Sequence, residues 1–381
     1  MSACGCFCLS AAADVVGTVV SWGDDSDTQP NVAAELTNVV SIAAAGDQSL
    51  ALISDGTVIW WGSIGVPGGS IPTGMPASLS NAVGIACGGS HDLVLFADGT
   101  VVAWGDNSFG QLDGFAGLNN VVAIAGGGIH SLALQASGTV LAWGDDTFGQ
   151  TDVPSGLSNV VEIAAGGMQS LALKADGTIT GWGSYWNGQS WVPVVVPDNL
   201  TNVTAITCGD NGSVALMANG CVVPWGAWWN GLNYGPLTLP LGLTNVVGLV
   251  ASGSQVLALN SNGSVLGWVP TIGGGSASTN SPSDLTNVIA IAAGDTHCLA
   301  LLGDGPPQFT ALLSNFTWGS GTFSCSMPTK PGHTYLLEYK DSFLDANWTA
   351  TPAVLSGNDN LRTLTDPNAS VVQRFYRVRR W

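Results

Sequence analysis

Apolar residues along this chain come in short runs rich in Val, Ile, Leu and Ala, separated by Gly, Asp, Asn and Ser. One stretch holds three of them: Asn120-Val121-Val122-Ala123-Ile124-Ala125, Ser131-Leu132-Ala133-Leu134 and Thr139-Val140-Leu141-Ala142-Trp143. Each run is too short for a helix and suits a strand. The unit then recurs. Its third run ends at Trp22, Trp61, Trp104, Trp143, Trp182, Trp225 and Trp268, with 39 or 43 residues between copies. Gly follows the Trp in every copy except the last, where Val269 stands. A period of this size marks a propeller or a solenoid.

Between the second and third runs stands a two-residue signal: Asp55-Gly56, Asp98-Gly99, Ser137-Gly138, Asp176-Gly177, Asn219-Gly220, Asn262-Gly263 and Asp304-Gly305. Such pairs accept positive φ at low cost and predict a tight hairpin. The first run closes on small residues, as in Ala43-Ala44-Ala45-Gly46 and Ala164-Ala165-Gly166-Gly167. Small side chains permit close backbone approach, which places this strand at the hub of a radial array. The Trp of the third run is then expected to fill the wider space between sheets.

The two ends of the repeat are complementary. Thr18–Trp22 has no hairpin before it, and the last hairpin, His297 to Gly305, has no Trp strand after it because Pro306-Pro307 intervenes. The expectation is an all-β chain: a seven-bladed β-propeller over residues 14–306, with the N-terminal strand completing the last blade beside Asp295–Leu302. Closure removes open sheet edges; an open solenoid is the rival architecture.

Charge divides the chain. Residues 1–306 carry 21 Asp and Glu against one Lys, Lys174, whereas residues 307–381 carry seven Lys and Arg against five acids. The shift at Pro306-Pro307 predicts a second module over 307–381. Its strand-like segments, Phe309–Phe316, Thr322–Met327, Thr334–Tyr339, Leu361–Thr365 and Arg374–Val378, suggest a small β-sandwich. An acidic ring cannot neutralise phosphates, so nucleic acid is not an expected partner. The sequence lacks the roughly eighteen consecutive apolar residues of a spanning helix.

The N-terminal Cys4-Gly5-Cys6-Phe7-Cys8-Leu9-Ser10-Ala11-Ala12-Ala13 looks like the latter part of a secretory signal, without a basic n-region, so residues 1–13 are read as a signal remnant. Low charge and abundant Thr, Asn, Ser and Gly agree with a secreted or cell-surface protein. Cys4, Cys6 and Cys8 lack the partners of a metal site. Cys87 and Cys208 share one repeat slot and read as small buried residues.

Chemistry has few candidates. His91, His130 and His297 fall in one slot, filled elsewhere by Gln48, Gln169 and Gln255. Interchange with Gln points to a hydrogen-bonding strut rather than a catalytic base. The carboxylates mostly occupy turns, and no nucleophile–base pair is evident. No catalytic residue, cofactor or metal is assigned. Asp24-Asp25-Ser26-Asp27 resembles part of a calcium loop but lacks its Gly and distal Glu.

The departures from the repeat are more telling. Two longer loops after the Trp strands are crowded with aromatics: Ser184-Tyr185-Trp186-Asn187-Gly188-Gln189-Ser190-Trp191 and Ala227-Trp228-Trp229-Asn230-Gly231-Leu232-Asn233-Tyr234. Shorter loops place Phe109 and Phe148 at the corresponding point. Leaving equivalent strands in one sense, these loops should share a face. Phe109, Phe148, Tyr185, Trp186, Trp191, Trp228, Trp229 and Tyr234 are therefore the candidate binding residues, of the kind that anchor proteins or stack on sugars. The competing reading is that they pack their own loops.

Trp104-Gly105-Asp106-Asn107-Ser108-Phe109-Gly110-Gln111, Asn120-Val121-Val122, Gly127-Gly128-Ile129-His130-Ser131-Leu132-Ala133-Leu134 and Ser137-Gly138-Thr139 resemble the regulator of chromosome condensation repeat, over roughly residues 15–305. The resemblance implies a seven-bladed propeller. In length and wording the copies are similar to a secreted bacterial branch of the family that inhibits β-lactamases, in which loops of one face grip the partner with aromatic and acidic side chains. The four-residue loop insertions depart from that branch. The tail, with Tyr335-Leu336-Leu337-Glu338-Tyr339-Lys340 and Arg374-Phe375-Tyr376-Arg377-Val378, is similar to small β modules ending secreted bacterial surface proteins. The functional expectation is a non-enzymatic extracellular recognition module for a protein or glycan. The alternative is a structural protein that self-associates by stacking, with the tail as its anchor.

Overall fold

A computed structural model describes residues 16–23, 32, 36–63, 75–76, 79–115, 117–240, 243, 245–270, 276–278, 282, 285–303, 314–319, 322–328, 334–340, 349–356, 361–368 and 375–380. Residues 1–13 with Cys4, Cys6 and Cys8, the Asp24–Asp27 segment, the Asp304-Gly305 turn, His333 and the Pro306-Pro307 boundary lie outside them. Every regular element among the described residues is a β-strand.

Seven sheets follow one plan, in which a first strand pairs with a second and the second with a third, all antiparallel. The plan runs Val39–Ala45, Gln48–Ile53, Val58–Gly62 in the first sheet and Ala82–Cys87, His91–Phe96, Val101–Gly105 in the next. It continues through Val121–Gly126, His130–Gln135, Val140–Gly144 and through Val160–Ala165, Gln169–Lys174, Ile179–Trp186. Then come Val203–Cys208, Gly212–Met217, Val222–Gly226 and Val246–Ser252, Gln255–Asn260, Val265–Pro270. The last sheet joins the two ends of this region. Val288–Ala293 pairs with His297–Leu302, which pairs in turn with Thr18–Gly23 in the register Thr18↔Leu302 to Gly23↔His297.

The first strands line a central cavity of about 320 Å³, where Ile42, Ile85, Ile124, Ile163, Ile206 and Ile291 occupy equivalent places. Their small C-terminal residues let successive backbones touch: Gly89 N–H donates to Gly127 O at 3.0 Å, and Asp295 N–H to Gly46 O at 2.9 Å. The second bond links the last sheet to the first. Each Trp packs between its own sheet and the preceding one. Trp143 joins Leu93, Leu95 and Val101 of the second sheet, Trp182 joins Leu132 and Leu134 of the third, and Trp61 joins Leu299 and Leu301 of the last. The apolar core is thus distributed between sheets, as expected of a radial array.

Two recurring local features go beyond the sequence reading. The hairpin is a type I turn closed by a left-handed Gly: Gly56 N–H donates to Ile53 O at 2.9 Å and Gly56 has φ +84. The preceding Asp does not share that conformation. Asp55 instead accepts the Thr57 N–H at 2.9 Å, so the pair works as a cap and a left-handed corner. The second feature is a left-handed Asn before every first strand: Asn38, Asn81, Asn120, Asn159, Asn202, Asn245 and Asn287, with φ between 53 and 63. Its carbonyl accepts from the hairpin of its own sheet, as Asn120 O does from Ala136 N–H at 2.9 Å. A β-bulge follows at once, for example between Val121 and Ala123.

The slot shared by His and Gln ties neighbouring sheets. His91 Nε2 lies 2.8 Å from Ser131 Oγ, His130 Nε2 2.9 Å from Ser170 Oγ, and His297 Nε2 2.7 Å from Ser49 Oγ. Ser131 Oγ and Ser170 Oγ donate onward to Gln111 O and Gln150 O, so His91 and His130 are the donors and carry the Nε2 proton. The Gln copies donate instead to carbonyls of the next sheet, as Gln48 Nε2 does to Gly88 O at 2.8 Å. One copy breaks the rule. Gly212 has no strut, and the Trp228 ring lies against it where an added Cβ would clash.

Beyond residue 313 the described strands form two antiparallel three-stranded sheets. Ser314–Gly319, Thr322–Pro328 and Leu361–Asp366 make one; Thr349–Ser356, Thr334–Lys340 and Phe375–Arg380 make the other. Thr349–Ser356, which contains Pro352, was not expected as a strand.

Candidate binding face

In each repeat, the turn between first and second strands lies at the end of the sheet where the Trp strand finishes. The register shows why: Gly105 pairs with His91 and Gly183 with Gln169, at the start of the second strand. The hairpins with left-handed Gly emerge at the opposite end. The aromatic loops therefore share a face, as their strand positions imply.

Two of them are hairpins in their own right. Ile179–Trp186 outruns its sheet and pairs with Trp191–Pro193, matching Tyr185↔Val192 and Trp186↔Trp191. Asn187 closes the turn, its Oδ1 accepting the Gln189 and Ser190 N–H groups, each at 2.9 Å. In the next repeat Trp228–Trp229 pairs with Tyr234–Gly235, and Asn230 Oδ1 accepts from Leu232 N–H at 3.0 Å and Asn233 N–H at 2.8 Å. Each hairpin is braced on the following sheet. Trp186 N–H donates to Asn211 Oδ1 at 2.7 Å, and Trp229 N–H to Ser254 Oγ at 3.2 Å.

This bracing gathers most of the expected aromatics into one strip. The Phe148 and Trp191 rings stack with centroids 4.0 Å apart, and Trp186 meets Trp191 edge-on at 5.8 Å. Trp229 and Tyr234 contact at 5.1 Å. The two groups adjoin at Gly188, where a Cβ would stand 3.3 Å from Tyr234 Cβ. Trp191 and Trp229 stay 39% and 42% exposed, and Leu232 joins them at 64%. Phe109, 51% exposed, makes no ring contact among the described residues and stands apart on the same face. Tyr185 is half-buried on the strand position next to Trp186, so its side chain leaves on the other side of the hairpin.

Trp228 is a correction. It is 1% exposed and belongs to the apolar cluster between the fifth and sixth sheets, with Val214, Val256 and Trp268. Its indole turns inward because Gly212 leaves the strut position empty, and its Nε1 donates to Trp225 O at 3.2 Å. Gly at a slot otherwise held by His or Gln was the available signal.

The remaining chemistry is mostly buried. Burial lowers His91 and His297 to about 4 and His130 to about 3, in the last case with a contribution from the neighbouring His91, so all three are neutral at physiological pH. Burial raises Asp92 to about 7 and Glu162 to about 8. Asp92 occupies the position of Ser49 and Ser131 in other repeats and is fully buried. Asp210 and Asp295 replace Gly at the rim of the central cavity. Confinement at the rim raises both, and for Asp210, raised to about 6, the Asp295 charge adds to it. Among the described residues no three His, Cys, Asp or Glu side chains gather as a metal-ligand set.

Residues 82–111 and 121–150 match the family model for the regulator of chromosome condensation (RCC1) repeat. These two stretches are RCC1 repeats. Solved structures agree on the fold. Prp20p of Saccharomyces cerevisiae, whose binding to Gsp1p and histones has been described, shares 19% identity at a TM-score of 0.60, over 78% of this chain and 94% of that one. Yeast RCC1 (Prp20) bound to Kap60 gives a TM-score of 0.58 at 19% identity, over 80% and 95% of the two chains. Human WBSCR16 gives 0.57 at 21% identity, over 77% and 100%. No curated protein matches the chain. The likeness establishes an RCC1-like propeller fold, and the chain shares with these structures a scaffold rather than a demonstrated partner.

Proposed function

We propose that this chain is a non-enzymatic, extracellular recognition module. In this reading the seven sheets are the blades of a closed propeller, Thr18–Gly23 completes the last blade, and residues 307–381 form a separate β-sandwich. A protein or glycan partner engages the aromatic loops of one face. One observation carries the reading: Phe148, Trp191, Trp186, Tyr234 and Trp229 form a strip across neighbouring repeats while both Trp191 and Trp229 keep large exposed surface. Side chains that only packed their own loops would be covered. Clustered Trp and Tyr with exposed apolar surface are the usual anchors of binding faces.

The test is Trp191→Ala with Trp229→Ala, compared with the parent for partner capture from the native surroundings and for monomer mass. Capture lost with the ring intact supports recognition. Capture and assembly both unchanged would refute the use of this face. The structural alternative has one observation in its favour: Phe375–Arg380, with Arg377, Arg379 and Arg380 in its sequence, is an edge strand of its sheet, and edge strands are sites of strand addition between chains. Loss of assembly in the same variant supports that alternative.

A further inference from the structure

We infer that the occupant of the aromatic face is a cationic, amphipathic protein surface rather than a glycan; this rests on the reading of that face as a binding site. The first ground is hydrogen-bond accounting. A sugar is read by amides and carboxylates that hydrogen-bond its hydroxyls beside a stacking ring, yet most amide oxygens around this strip are already held by the loops themselves. Asn187 Oδ1 holds two backbone N–H groups of its turn. Asn230 does the same and also donates to Asn233 Oδ1 at 2.7 Å. Asn211 Oδ1 holds Trp186 N–H. On the shorter loops, Gln150 bridges Phe148 N–H and Asp145, and Gln111 does the same for Phe109 N–H and Asp106. Beside the exposed Asn187, Gln189, Ser190 and Asn233, the loops present a large apolar surface made by Trp191, Trp229, Leu232 and Phe109.

The second ground is charge. Asp47, Asp210 and Asp295 sit in the turns of this face, and Asp106, Asp145 and Asp146 in its loops. Lys174, the single Lys or Arg of residues 1–306, lies at the opposite end of its sheet, where it pairs with Asp176 at 3.6 Å. Within residues 1–306 the face therefore carries one sign of charge with no counter-ion of its own. Hydrogen bonds from Ser108 keep Asp106 below its usual range, so its charge persists at neutral pH. An array of carboxylates around exposed indoles suits Lys or Arg side chains that approach ring faces and carboxylates together, set among aliphatic residues that cover Leu232. The same field repels acidic surfaces and steers basic ones at low salt.

Three probes separate the possible occupants, each titrated calorimetrically against the full chain at pH 7.5. The first is an amphipathic helical peptide of Leu and Lys, the second its Leu and Glu counterpart, and the third a pair of neutral oligosaccharides, cellohexaose and chitohexaose. The Leu/Lys peptide should bind and weaken with salt, and the Leu/Glu peptide should not bind. Trp191→Ala with Trp229→Ala, which leaves every charge in place, should weaken the Leu/Lys peptide at least tenfold. Asp146→Asn with Asp210→Asn, which leaves every ring in place, should weaken it severalfold. Circular dichroism confirms that both variants fold. Unchanged affinity in the aromatic variant would mean bulk charge attraction alone and overturn the inference. Oligosaccharide binding lost in the aromatic variant would also overturn it, while the face would stand as a binding site. No binding by any probe overturns it as well.

Discussion

His297 Nε2 and Ser49 Oγ lie 2.7 Å apart although 248 positions separate them in sequence. The contact repeats, at the junction of the last and first sheets, the link that His91 makes to Ser131 and His130 to Ser170 between consecutive ones. The chain treats its own ends as it treats any two neighbouring repeats. A strut role also explains why Gln serves in the same slot, since both side chains supply an N–H to the next sheet. His297→Ala should destabilise the chain by about 1–3 kcal/mol, because a buried hydroxyl loses its partner. His297→Gln should recover most of that. Urea unfolding of the three proteins checks it; equal loss in both variants would contradict the strut.

Gly212 and Trp228 are coupled. Gly212→Gln alone should destabilise by several kcal/mol, about the cost of overpacking, because the indole fills the space. With Trp228→Ala added, the Gln has room and the double variant should be more stable than the sum of the single changes predicts. A double-mutant cycle with no coupling would show that the ring and the strut do not compete.

Asp92 should give the stability a pH signature. Its carboxyl holds a proton to about 7 when folded, against 3.8 ordinarily. That contribution is complete below pH 3.8 and is lost as pH rises through about 7. Asp92→Asn removes the loss, so the stability of the variant relative to the parent should rise across pH 4 to 7, by up to about 1.4 kcal/mol per unit. Denaturation midpoints against pH measure the difference; a flat difference would place the carboxylate in contact with solvent or a cation.

Left-handed Asn before each first strand predicts a residue preference. Asn120→Ala should cost about 1 kcal/mol, and Asn120→Gly should be close to neutral, since only Gly and Asn take that conformation cheaply. Thermal melts of the two variants distinguish this from a side-chain contact, which Gly would also remove.

Much of this architecture is legible in the chain because each feature is repeated. Runs ending in Trp, the paired turn residues and the small-residue strand ends mark strand, corner and hub seven times over, so one ambiguous copy is corrected by the rest. The unmatched Thr18–Trp22 and the final hairpin reveal their pairing for the same reason. Single-copy features were harder. Trp228 reads as one more loop aromatic, and only the missing strut at Gly212 explains why its ring turns inward. The left-handed Asn was present in all seven copies but looked like an ordinary loop residue, since nothing in its type separates a cap from a corner. The strand at Thr349–Ser356 was hidden by Pro352.

The pairing of the two ends is the claim that closes the array of sheets, and hydrogen exchange measures it directly. The amides of Val20 and Trp22 should exchange as slowly as those of Leu132 and Leu134 in the middle of the repeat array, because each is held within a sheet. Exchange at unprotected rates over Thr18–Gly23, with Leu132 and Leu134 still protected, would contradict the closed ring.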